Sequence, residues 1–264
     1  MNTLTATRRH RAAAPILVLL ALALVGVIYA AVGSATSAQA AGDQKALDAQ
    51  IAAGQKLFVE GCSSCHGLAA QGGPAAPTLI GVGSAAVDFQ ISTGRMPLAA
   101  PQAQAPSKQV IYSDEETAAI AAYIGSLAPG PQIPTAEQLN YEGANLAEGG
   151  ELFRTNCSQC HNFAGAGGAL SNGAYGPNLR DATPKQIYEA MLTGPENMPV
   201  FSNDTLTTEN KQAIIKYIQN MKTETSYGGW SVGRLGPVSE GLVAWLVALG
   251  GLIAVAVWIG AKVR

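Results

Sequence analysis

The sequence predicts an all-α protein in which one helical unit occurs twice between two apolar terminal segments. Three observations carry this reading. The word GCSSCHG at residues 61–67 returns as NCSQCHN at residues 156–162, each copy closes with an amphipathic helical pattern, and no stretch shows the two-residue alternation of a strand.

The chain of 264 residues has a formal net charge of -2, so it has no basic footprint for nucleic acid, and a DNA or RNA partner is not expected. Charged residues make up 13%, about half the share of an ordinary soluble domain, which points to apolar segments outside the globular part. The first, PILVLLALALVGVIYAAV at residues 15–32, follows Arg8, Arg9 and Arg11 and precedes a small-residue run with an Ala-x-Ala site at 38–40. Residues 1–42 therefore read as an export signal or an N-terminal membrane anchor. The second, LVAWLVALGGLIAVAVWIGA at residues 242–261, has no charge and is followed by Lys262 and Arg264. Residues 242–264 are expected to cross the lipid bilayer with the basic tail in the cytoplasm, which places the segment between the two spans on the extracytoplasmic face of the cell membrane.

Offsetting the chain by 95 residues aligns GQKLFVEGCSSCH (54–66) with GGELFRTNCSQCH (149–161), and the repeat continues, after an insertion in the second copy, with APTL (76–79) against GPNL (176–179) and STGRMP (92–97) against LTGPENMP (192–199). The closing helices, expected over 113–127 and 207–221, open with Ser113 and Thr207 as N-caps followed by acidic residues, as capping and the helix dipole favour. The expected domains are 43–128 and 136–224. They are joined by a stiff, extended, proline-rich linker at 129–135 and followed by a juxtamembrane segment at 225–241. Each copy has few large apolar residues, so its core needs something else to fill it.

All four cysteines lie within the two words. On a helical turn, Cys62, Cys65 and His66 share one side, as do Cys157, Cys160 and His161. Two thiols can then bond the edge of a macrocycle while the imidazole reaches its centre, which is the arrangement of covalently attached haem c. Two such haems would also supply the missing apolar core. A four-thiolate zinc cage leaves the histidines unexplained, as do structural disulfides, which across Cys-x-x-Cys would close very small loops. A thioredoxin-like pair needs a strand that the repeat lacks. For the second axial iron ligand, Met96 and Met198 are the candidates. Each follows a Thr-Gly pair and directly precedes a proline, whereas Met1, Met191 and Met221 lie at the start codon or in helical patterns. Pro77 and Pro177 are placed to offer carbonyls to the proximal histidines. Gly54 and Gly149 are placed where the closing helix could cross closely, with Tyr123 and Tyr217 on its apolar face.

Taken together, these motifs resemble class I cytochrome c: Gly-x-x-x-Phe before the haem word, then Pro-x-Leu, then Met-Pro, then a closing helix with Tyr. The first copy departs from the family's Gly-Pro by having Ala76 before Pro77. As a whole, the chain resembles the dihaem cytochrome c subunits of the actinobacterial menaquinol–cytochrome c reductase, the bcc form of the cytochrome bc1 complex. The resemblance implies an electron carrier that takes electrons from the Rieske iron–sulfur protein, sits beside cytochrome b, and delivers to a terminal cytochrome c oxidase. It also implies that the chain belongs to a translocating reductase while making or breaking no substrate bond itself. Residues 43–128 hold seven acidic and four basic residues with no lysine cluster, as suits a tethered carrier that needs no electrostatic steering. Two alternatives remain: an electron-transfer subunit of another membrane oxidase or dehydrogenase, and a dihaem peroxidase, which would need an open iron position.

Overall fold

The computed structural model describes residues 13–102, 104–223 and 241–262. The expected basic residues Arg8, Arg9 and Arg11, and residues 225–240 of the juxtamembrane segment, lie outside them.

Helix α1 (Ala13–Gly61) runs without interruption through the boundary expected at residue 42. Its first part, Ala14–Ala30, is apolar and exposed, while Phe58 near its end is fully buried. A short turn of helix, α2 (Ser63–His66), carries the first haem-type word, and α3 (Ser84–Ser92) and α4 (Asp114–Leu127) complete the first half. The α4 helix starts one residue after the expected Ser113, which caps it: its hydroxyl accepts from Glu116 N while the Glu116 carboxylate accepts from Ser113 N. Phe58, Val87, Ile91, Ile120, Tyr123 and Ile124 form the core.

The second half repeats the plan. Helix α5 (Leu146–Asn156) leads into α6 (Ser158–His161), and α7 (Pro184–Thr193) and α8 (Thr208–Thr223) follow. Phe153, Tyr188, Met191, Ile214, Ile215 and Ile218 centre its core. The all-α expectation needs one correction: β1 (Gly168–Ala169) and β2 (Tyr175–Gly176) pair antiparallel around a 3₁₀ turn at Ser171–Gly173. These strands are two residues long, too short to leave an alternating pattern in the sequence.

In both halves the helix before the Cys-x-x-Cys-His word packs on the closing helix: α1 on α4, and α5 on α8. The closest approach falls at Gly54 and Gly149, where the backbone of Ala119 and of Ala213 occupies the space a side chain would need. Phe58 meets Tyr123, and Phe153 meets Tyr217, each pair with ring centres 5.4 Å apart.

The proline-rich linker is also fastened to the first half, which its composition alone does not indicate. Pro131 O accepts from Ala85 N at 3.1 Å, Ser84 Oγ accepts from Ile133 N at 3.3 Å, and Ile133 packs on the first core. Side-chain hydrogen bonding by Ser84 and an apolar contact thus strap the segment to the first half. The halves also touch elsewhere: α3 packs against α7, where Lys185 Nζ lies 2.8 Å from Asp88 Oδ2.

The last helix, α9 (Gly241–Lys262), is π-wound over Ala244–Leu249 and exposed along its length. Among the described residues it is the one helix long and apolar enough to cross a membrane.

Candidate cofactor sites

Each Cys-x-x-Cys-His word folds as a single tight turn because its backbone bonds close on the first cysteine. Cys62 O accepts from Cys65 N at 3.2 Å and from His66 N at 3.0 Å, and Cys157 O accepts from Cys160 N and His161 N at the same distances. The chain then loops back beneath each histidine, fixed by Gly72 N donating to His66 O and Gly167 N donating to His161 O. This return brings a proline carbonyl under the ring. His66 Nδ1 donates to Pro77 O, and His161 Nδ1 donates to Pro177 O, both at 2.9 Å. With Nδ1 engaged, Nε2 is the ring nitrogen left for a metal.

The remaining residues converge on two apolar cavities. Cys62, Cys65, His66, Pro77 and Met96 line one of about 570 Å³; Cys157, Cys160, His161, Pro177 and Met198 line another of about 470 Å³. All ten residues singled out in the sequence thus stand on one wall or the other. Met96 and Met198 are half-buried against the first and second cores, respectively. Met191 also lines the second cavity, yet it belongs to the buried core.

The electrostatics favour neutral ligands. Burial, and secondarily the neighbouring Cys160, push the Cys157 thiol up to about 12. Burial and Cys65 raise Cys62 likewise. Burial lowers His161, against a smaller opposing effect of the Pro177 hydrogen bond, so its imidazole is held neutral, the form that binds metal. Protonated thiols suit thioether formation and resist acting as metal thiolates. All four cysteines are free, and among the described residues no three His, Cys, Asp or Glu side chains gather into a metal cluster, so neither the zinc cage nor the disulfide reading finds a site. A haem fits both cavities: they fall within the usual size for cofactor sites, and each is lined by two thiols and an imidazole from one turn and by a thioether from a separate segment.

Several lining residues were not anticipated. Tyr112 borders the first cavity, Gln104 and Arg95 from the first half border the second, and Glu196 borders both. Tyr112 and Gln104 lie where the two copies do not align, and Arg95 and Glu196 lie inside the paired stretches STGRMP and LTGPENMP at points where the copies differ in length and residue type, so the repeat gave no signal for them.

Comparison with known proteins sharpens the assignment. Residues 51–128 match the cytochrome c family model, and residues 144–218 match the model for cbb3-type cytochrome c oxidase subunit III. A Corynebacterium diphtheriae protein described as the cytochrome bc1 complex cytochrome c subunit is 43% identical over 97% of this chain and 97% of its own length. The chain belongs to the family of cytochrome bc1 complex cytochrome c subunits. A family member from Mycobacterium tuberculosis is likewise 43% identical, over 96% of this chain and 92% of its own length. The cbb3-type oxidase subunit FixP of Bradyrhizobium diazoefficiens is more remote, 27% identical over 58% of this chain. Membership of this family, with its cytochrome c domains, implies covalently bound haem c and a place in electron transport.

Proposed function

We propose that the chain is a membrane-anchored dihaem electron carrier that relays electrons from a Rieske iron–sulfur protein to a terminal cytochrome c oxidase. Residues 43–128 and 136–224 are its two class I cytochrome c domains, joined at 129–135. Residues 225–241 lead to the membrane, and 242–264 form the span and its cytoplasmic basic tail. Residues 1–42 are an export signal or second anchor, and both cavities open on the extracytoplasmic side. Cytochrome b and the Rieske protein are its partners within the complex.

The observation that carries this reading is the doubled constellation. A histidine held through Nδ1 by a proline carbonyl, two thiols in the same turn and a methionine share one cavity, and the set occurs twice. Cys62 and Cys65 would anchor one haem and Cys157 and Cys160 the other, with His66 and Met96 holding the first iron and His161 and Met198 the second. When bound, each haem supplies a one-electron iron couple. The chain does the rest. The Pro77 and Pro177 carbonyls fix the tautomer and orientation of each imidazole and make it more basic. The thioethers of Met96 and Met198 would favour reduced iron and so raise its potential. Apolar walls limit water, and Glu196, on both walls, makes the two cavities neighbours, which supports transfer within the chain.

The runner-up, a subunit of a cbb3-type oxidase, is favoured by the family match at 144–218 and the likeness to FixP. The higher identity and near-complete coverage of the bc1 relatives outweigh it. Purification through a C-terminal tag separates the two: recovery of cytochrome b and Rieske subunits supports the proposal, and recovery of a catalytic oxidase subunit in their place overturns it.

A further inference from the structure

The second cavity is not built by the second half alone. Phe89, Arg95, Gln104 and Lys108, all from the first half, stand on its wall. Specific contacts hold them there. The Gln104 side chain bonds the Tyr175 backbone in both directions, Oε1 accepting from Tyr175 N and Nε2 donating to Tyr175 O, both at 2.8 Å. Ala105 N donates to Glu196 Oε1 at 3.2 Å, and Gln186 Nε2 donates to Ser92 O at 3.4 Å.

The charge on that wall is divided unequally. The second half contributes Asp181 and Glu196 but no lysine or arginine, so the cavity's cations, Arg95 and Lys108, both come from the first half. The first cavity has no cation on its wall. Lys108 Nζ is already engaged by Pro97 O at 2.6 Å. Arg95 is half-buried, its guanidinium carbon 5.0 Å from the centre of the Phe89 ring, and among the described residues no carboxylate forms an ion pair with it. A guanidinium stacked on an aromatic face keeps its N–H edge free, and that fork matches a carboxylate.

We propose that Arg95 reaches across from the first half to bind a carboxylate of the group seated in the second cavity, a haem propionate, so that the second site is complete only when the halves are docked. This rests on the reading that the second cavity takes a haem. Haem combines an apolar macrocycle with an acidic edge, and of the two cations on that wall Arg95 is the one whose donors are not taken up by a backbone carbonyl. A fixed positive charge there also favours the reduced, less positive iron, which makes Arg95 a positioning residue that tunes potential.

The test is an equilibrium redox titration of membranes carrying the full chain, as wild type, R95Q and R95K, with covalent haem per chain measured in each. The second centre is identified as the one whose midpoint M198H lowers. In R95Q that centre falls more than the first, by on the order of a tenfold change in its equilibrium constant, or about 59 mV for one electron. R95K retains most of the wild-type value, and the methionine–iron charge-transfer band persists in both variants. A second centre unmoved in R95Q, or a shift confined to the first centre, overturns the proposal. Failure of the underlying reading looks different: the wild-type chain itself would carry no haem at Cys157 and Cys160.

Discussion

The backbone carbonyl of Ala119 fills the space that a side chain on Gly54 would need, so α1 and α4 cross at a distance only glycine permits. Ala213 stands in the same relation to Gly149 where α5 meets α8. Alanine at either site must push whole helices apart, which costs about 1–3 kcal/mol or more; its better helix propensity returns at most about 1 kcal/mol. G54A and G149A are each expected to lower the thermal midpoint followed by circular dichroism, while G143A, with open space around it, leaves it unchanged.

Stability should fall as pH rises because of one carboxyl group between the halves. Glu189 is fully buried, and burial, with Asp88 nearby, pushes it up to about 9, Lys185 opposing. The folded state therefore holds a proton that the unfolded chain releases at ordinary glutamate pH. The contribution is full below that ordinary value and is lost as pH climbs toward about 9. In E189Q, which keeps a neutral group in place, the thermal midpoint loses this pH dependence. An unchanged slope in E189Q would refute the assignment.

Met96 and Met198 should decide whether carbon monoxide can bind. With His66 and Met96, and His161 and Met198, holding the irons as proposed, the wild-type chain is expected to resist it. M96A and M198A should each open one position, giving a carbon monoxide difference spectrum of one haem per chain. M191A should not, although Met191 also lines the second cavity. Binding in M191A but not in M198A would reassign the ligand.

The repeat made the sites legible because the chemistry requires fixed spacing. Cys62, Cys65 and His66 must share one turn, and the closing helices follow from Ser113 and Thr207 with their apolar faces. The contacts between the halves left no such trace. Asp88 and Lys185 are 97 positions apart and read singly as ordinary surface charges, yet α3 and α7 press them together and bury Asp88. Gln104 lies in an Ala- and Pro-rich stretch that reads as a loop, and its partner is the backbone of Tyr175, which carries no residue-type signal. The linker's attachment was hidden for a similar reason: proline content predicts stiffness, but the grip of Ser84 on Ile133 is tertiary.

The most direct test of the account is the mass of the intact purified chain after extraction with acidified organic solvent. The account predicts a polypeptide heavier than its sequence by two haem groups, with the red colour staying in the protein, and C157S/C160S retaining only one. A chain that weighs no more than its amino acids, with the pigment in the solvent, would contradict it.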